Sequence, residues 1–134
     1  MGSTLEFDAG NNVARWSLEG RVTDKTFSEG LSFIASFLAG TTPKSGIVDL
    51  SGVTSFEVSV SFLKEVASSE PILPTHLHRV IVAPTGHIYG LSRMFGILSE
   101  KTRPNLEIVR TMDEALKVLR IDAPNFQCIE PSAK

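Results

Sequence analysis

The chain has 134 residues, a length typical of one domain with a single core, and its composition is 42% hydrophobic and 21% charged. This is the composition of a folded globular protein, so it excludes disorder as the default state. The formal net charge is -2, which leaves no excess of Lys and Arg to neutralise a phosphate backbone, and we expect no nucleic-acid partner.

Cysteine content and hydropathy narrow the class of protein further. The one cysteine, Cys128, cannot form an internal disulfide and cannot build a zinc site by itself. The N-terminus lacks the basic start and apolar run of a signal peptide, and no apolar stretch approaches the roughly 20 residues that cross a bilayer. We therefore expect a cytoplasmic protein with no membrane span.

The first predicted elements in chain order are a hairpin and a helix. Apolar and polar residues alternate at 5–8 and at 13–18, and the Ala-Gly-Asn-Asn segment between them is typical of a turn. Such a hairpin is antiparallel. Apolar residues at helical spacing follow from Phe27 to Leu38, and Gly40 ends that helix.

Strands and helices then alternate to the end of the regular part. Apolar runs at 47–50, 79–83 and 106–109 predict strands, and the stripes after each of them predict helices, the last begun by a Thr111–Glu114 capping box. Strands joined through helices run parallel, so the sheet is mixed. The sequence predicts an α/β protein of order β-β-α-β-α-β-α-β-α, with a mixed five-stranded sheet covered by helices. We expect one domain over 1–121 and a C-terminal extension over 122–134.

Two segments carry a family resemblance. A buried strand ends in Asp49-Leu50-Ser51, and later Val82-Ala83-Pro84 is followed by Tyr89-Gly90-Leu91-Ser92-Arg93-Met94-Phe95. Both segments, with the element order from Leu5 to Arg120, resemble the STAS domains, which are the fold of anti-sigma-factor antagonists and of the cytoplasmic ends of sulfate transporters. The second segment is similar to the bacterial SpoIIAA-like branch.

The resemblance implies a function as well as a fold. It implies a non-catalytic interaction module in signalling, and it places Ser59 where the antagonists carry their phosphorylated serine. The antagonists follow that serine with Gly, whereas Val60 follows Ser59 here. The resemblance also allows a different role, because related folds bury lipids behind comparable helices.

Hydroxyl-bearing residues mark a candidate binding edge. The carboxyl ends of neighbouring parallel strands share one edge of a sheet, so we expect the segments after Leu50 and Ala83 to lie close together. Ser59 and Thr85 would each stand at a helix N-terminus there, where free N–H groups attract an anion or a carboxylate of a partner. The predicted binding residues are Ser51, Ser59, Thr85, Gly86, His87 and Arg93. The commoner role of Ser and Thr is to cap helices, and Ser51, Thr54 and Ser55 would then serve a tight loop.

Catalytic and metal sites are not predicted. His76, His78 and His87 have no Asp, Glu or Cys beside them at a ligand-like spacing. The sequence has no nucleophile elbow, P-loop or dinucleotide fingerprint, so we assign no catalytic residue and no cofactor.

Aromatic residues leave further alternatives open. Phe27, Phe33 and Phe37 could cover a second helix, line a lipid-sized cavity or form a homodimer patch. The tail around Phe126, Cys128 and Ile129 could add a strand to a sheet edge of its own or of another subunit. Three functions therefore stand: an interaction module with a protein or small anionic ligand, a carrier of an apolar molecule, and an enzyme of unknown chemistry.

Overall fold

The computed structural model describes residues 3–38, 40, 43–72 and 77–129, which form a mixed sheet and four helices. The elements are β1 (Ser3–Asp8), β2 (Val13–Thr23), α1 (Asp24–Leu38), β3 (Ser45–Glu57), α2 (Val60–Ser68), β4 (His78–Val82), α3 (Gly86–Leu98), β5 (Leu106–Val109), α4 (Met112–Val118) and β6 (Gln127–Ile129).

The sheet has six strands in the order β5-β4-β3-β2-β1-β6. The strand β1 runs antiparallel to both β2 and β6, and the other neighbours are parallel. The prediction of five strands was one too few, because β6 comes from the C-terminal extension and pairs with β1. Of the alternatives that the sequence left open for the tail around Phe126, Cys128 and Ile129, the structure shows the strand added to a sheet edge of the same chain.

Each face of the sheet carries its own core. Leu5, Trp16 and Ile81 are buried with residues of α1, α2 and α3 on one face. Val80 and Val82 are buried with Ala115 of α4 on the other face. Because side chains alternate along a strand, β4 supplies both cores, which explains why it lacks a polar face in the sequence.

The strands β2 and β3 are longer than their sequence patterns indicate. They pair in parallel as far as Thr23 and Glu57, with register shifts on the way. Ser51, Thr54 and Ser55 therefore lie in β3, and the expectation of a tight loop there was wrong. The backbone of this segment is satisfied by the second half of β2.

Candidate functional site

Ser59 ties the beginnings of two helices together. Its hydroxyl oxygen accepts the Phe62 N–H at 3.1 Å, so Ser59 is the N-cap of α2. The same hydroxyl donates to Oδ2 of Asp24 at 2.9 Å, and the Ser59 N–H donates to Oδ1 at 2.7 Å. Asp24 is the first residue of α1. Ser59 is exposed, so a capping residue with a second, interhelical role lies at the surface.

An ion pair stands on the strands that lead into these helices. Nε of Arg21 donates to Oε1 of Glu57 at 2.9 Å, and the Ser55 hydroxyl donates to Oε2 at 2.7 Å. The hydrogen bond from Arg21, followed by the bond from Ser55, lowers the pKa of Glu57. The hydrogen bond and charge of Glu57 raise the pKa of Arg21. We call Arg21, Asp24, Glu57, Ser59 and the exposed Val60 the α1–α2 edge.

Thr85 begins α3 in the way predicted. Its hydroxyl accepts the Ile88 N–H at 3.3 Å, and Gly86 and His87 follow as exposed residues of the first turn. Arg93, also exposed, lies with its guanidinium carbon 6.0 Å from the centre of the Tyr89 ring.

The described contacts do not join Thr85 to Ser59. The strands β3 and β4 are adjacent and parallel, as expected, and Asp49 pairs with Val82. However, β3 extends from Leu50 to Glu57 past the point where β4 ends. This extension is roughly 25 Å long if the strand is straight. Ser51 lies on this continuation, where its N–H donates to the Asp49 carboxylate at 3.0 Å.

The histidines lie on separate parts of the fold. His78 forms a 2.7 Å contact with the Glu107 carboxylate across β4 and β5, and His87 lies on α3. His76 lies outside the described residues. Across the described ranges, no three His, Cys, Asp or Glu side chains are grouped so that they could hold a metal ion.

A cavity of about 450 Å³ lies between the sheet and the three helices α1, α2 and α3. Its volume is in the range of sites for small organic ligands, which is about 300–1,000 Å³. Its wall is mostly apolar. Its apolar side chains include Trp16, Phe27, Leu31, Leu63, Leu91 and Phe95.

The phenylalanines of α1 are divided between this cavity and the sheet. Phe27 lines the cavity and packs against Trp16, with ring centres 5.1 Å apart, and against Phe62 at 5.9 Å. Phe37 packs edge-on against Phe7 of β1 at 6.0 Å. Of the alternatives that the sequence left open for these rings, Phe27 takes the cavity-lining one.

The ionisable residues among the described cavity wall are Glu70, Arg79 and Arg103. Arg79 begins the apolar face of β4 that continues at Ile81, and Arg103 precedes β5. The sequence analysis missed both arginines. Arg79 stands two residues before a core position on the same face of its strand, which is a signal for an inward-pointing cation. Arg103 gives no comparable local signal.

Comparison with known proteins gives a structural match. No family model matches the sequence, and no curated protein matches it. Among residues 3–38, 40, 43–72 and 77–129, none of the helices is both long enough and apolar enough to span a bilayer. The structure is similar to the crystal structure of an anti-sigma factor antagonist from Mycobacterium paratuberculosis, with a TM-score of 0.62 and 24% sequence identity over 87% of this chain and 92% of that chain. The predicted fold is therefore confirmed: this chain has a STAS-like α/β fold.

Proposed function

We propose that this chain is a non-catalytic regulatory module that binds a protein partner through the α1–α2 edge. The observation that carries the proposal is the exposed Ser59 hydroxyl, which bonds at once to the start of α2 and to Asp24 of α1. A change at this one oxygen alters the surface of both helices. The similarity of the fold to that of an anti-sigma factor antagonist supports the same proposal.

Phosphorylation of Ser59 would act directly on this arrangement. A phosphate adds a charge of about -1.5 to -2. The N-terminus of α2 favours that charge by about 0.3–1 kcal/mol. The esterified oxygen can no longer donate to Asp24, and two negative groups a few ångströms apart repel by at least about 1 kcal/mol per unit charge pair even in water. Repulsion therefore outweighs the helix dipole, and we expect phosphate to separate the starts of α1 and α2.

The test begins with affinity capture from native extract and continues with the purified partner. We expect Ser59→Asp to weaken the partner affinity at least tenfold, because the new carboxylate faces Asp24. Ser59→Ala, which adds no charge, should weaken it less. Ala123→Asp is the matched control, because it makes the same charge change at an exposed position. The hydrogen bond given for Ala123 is to its backbone oxygen, which the substitution retains. Equal affinities for wild type and Ser59→Asp, measured by calorimetry on folded proteins, would overturn the proposal.

The cavity favours a second function, a carrier of an apolar small molecule. A well-packed surface rarely leaves a deep apolar recess, whereas here a half-open cavity of about 450 Å³ lies between the sheet and three helices. Native mass spectrometry of the freshly purified full chain should detect a bound hydrophobic molecule that is released on unfolding. A chain that carries no such adduct and shows no saturable binding of a twelve-carbon alcohol would rule out this role.

A further inference from the structure

The ionisable residues of the cavity wall lie at one place in the fold. Arg79 pairs with Leu106 across β4 and β5, and Arg103 lies three residues before Leu106. Burial lowers the pKa of Arg79, and the nearby charge of Arg103 lowers it further by a smaller amount. Two guanidinium groups therefore share one end of an apolar cavity, between the end of α2 and the start of β5.

Arg103 is held by neutral acceptors. Its Nη1 donates to the carbonyl oxygen of Ala67 at 3.2 Å and to the Thr102 hydroxyl at 2.9 Å, and its guanidinium lies 5.5 Å from the Phe95 ring centre. A guanidinium has five N–H donors in a planar fork. These two bonds fix the group from one side. Among the described residues no carboxylate contacts it, so Nε and Nη2 are left to bind an anion.

Half-burial makes the positive charge at this end costly. Burial lowers the pKa of the Arg103 guanidinium, and burial together with the neighbouring charge lowers the pKa of Arg79. An anion placed between the two groups would offset both effects, because a carboxylate accepts paired bonds from a guanidinium fork. Glu70 also lines the cavity, so the formal charges of the three ionisable groups in the described part of the wall sum to +1.

We propose that the cavity binds a long-chain aliphatic carboxylate, with its chain against the apolar wall of α1, α2 and α3 and its head group on Arg79 and Arg103. The apolar wall accommodates a hydrocarbon chain, and the formal charge of the described ionisable groups matches a single negative charge. The inference rests on the second proposed function, the carrier role, and specifies its ligand class.

Trp16 makes the test direct. It is the single tryptophan of the chain and lines the cavity, so its fluorescence reports a ligand at this site. The full chain, freed of co-purified molecules on a hydrophobic resin, is titrated with dodecanoate, dodecan-1-ol, dodecyl phosphate and dodecyltrimethylammonium. We expect saturable binding of dodecanoate about tenfold or more tighter than that of the alcohol, since a hydrogen bond to a charged group contributes that much. The doubly charged phosphate should bind less tightly than dodecanoate, and the cation least of all.

Variants separate the arginines from the cavity. Arg103→Met should reduce dodecanoate affinity about tenfold while leaving the affinity for dodecan-1-ol unchanged, and Arg103→Lys should restore part of the loss. Glu70→Gln should tighten dodecanoate binding, because it removes a competing negative charge. If Arg103→Met impairs folding, Arg79→Met provides the same comparison. Lys117→Met, on α4 at the opposite face of the sheet, is the control.

The outcomes are distinct. Equal affinities for dodecanoate and dodecan-1-ol, with no effect of Arg103→Met or Arg79→Met, would overturn the carboxylate proposal and leave the carrier role standing. Absence of saturable binding of either compound would overturn both. Tightest binding of dodecyl phosphate would replace the carboxylate by a phosphate monoester and so contradict the proposal as stated.

Discussion

At the residue scale, the buried carboxylate of Asp8 joins the hairpin to the C-terminal segment. Asp8 is 1% exposed and ends β1. Its Oδ1 accepts the Asn11 N–H at 3.0 Å, and its Oδ2 accepts the Asn11 amide at 2.8 Å and the Asn125 N–H at 2.8 Å. Burial by itself raises the pKa of Asp8. The bonds from the Asn11 side chain and from the backbone of Asn125, Asn11 and Gly10 outweigh it, and the pKa falls below the ordinary 3.8.

This shift predicts a specific acid sensitivity. Because the folded-state pKa of Asp8 is lowered, its contribution to stability is complete above about pH 4 and is lost as pH falls through the folded value. We expect Asp8→Asn to lower the free energy of unfolding by about 1–3 kcal/mol at pH 7. The variant should also lose less stability than wild type between pH 4 and pH 2.

Urea unfolding at several pH values checks this. Glu29→Gln removes an exposed carboxylate from α1 and should follow the wild-type curve. Parallel curves for wild type and Asp8→Asn throughout the acid range would contradict the assignment.

At the element scale, α1 approaches β2 through a glycine. Gly30 is buried in α1, and a methyl group placed there would overlap Cζ2 of Trp16 and lie 3.0 Å from Cε2. The indole cannot easily move away, because its Nε1 donates to the Ser3 hydroxyl at 2.7 Å. The close contact of helix and sheet at this point therefore depends on the absence of a side chain.

Alanine substitution tests the role of Gly30 in helix packing. Gly30→Ala should lower the free energy of unfolding by about 1–3 kcal/mol, because overpacking outweighs the gain in helix propensity. Gly90→Ala in α3 is the matched control, since nothing lies within 4 Å of its added methyl group. That control should raise stability by about 0.5–1 kcal/mol, as expected for Gly→Ala in an open helix position. Thermal unfolding of both variants measures these changes in stability. A Gly30→Ala variant more stable than wild type would show that α1 can shift outward without cost.

The helix starts show which element-scale features are local. Ser59, Thr85 and Thr111 are all N-caps, and each bonds the N–H three residues ahead. The capping box at α4 differs in one detail, since the Glu114 carboxylate accepts the Arg110 N–H at 2.8 Å and not the Thr111 N–H. A one-residue shift of this kind depends on how β5 enters the helix, and residue spacing does not specify it.

At the scale of the whole molecule, the C-terminal segment covers one margin of the sheet. The strand β6 pairs with β1. The guanidinium carbon of Arg15 lies 4.5 Å from the centre of the Phe126 ring. Without β6, the backbone of β1 would present unpaired N–H and C=O groups, which are a template for pairing with another chain.

Truncation tests this protective role. A chain that stops after Pro124 should lose stability through the freed Asp8 carboxylate and should self-associate through β1. Sedimentation velocity and urea unfolding measure both effects. A chain that stops after Ile129 retains β6 and should behave as wild type. A monomeric, equally stable chain ending at Pro124 would show that β6 is dispensable.

The sequence alone determined the structural features that depend on residues close together in the chain. The alternation of the hairpin, the apolar stripes of the helices and the caps at Ser59, Thr85 and Thr111 each involve residues a few positions apart, so periodicity and capping chemistry were enough to predict them. The motif at 82–95 then indicated the STAS-like fold, which the structural similarity confirms.

The tertiary structure decided the features that join distant segments. Ser59 and Asp24 are 35 residues apart, and the Asn125–Asp8 bond spans 117 positions. The second halves of β2 and β3 form their backbone hydrogen bonds with each other. The cavity and its two arginines likewise arise from how three helices rest on one sheet face. Such contacts depend on which surfaces the fold brings together, and the structural preferences of single residues do not specify them.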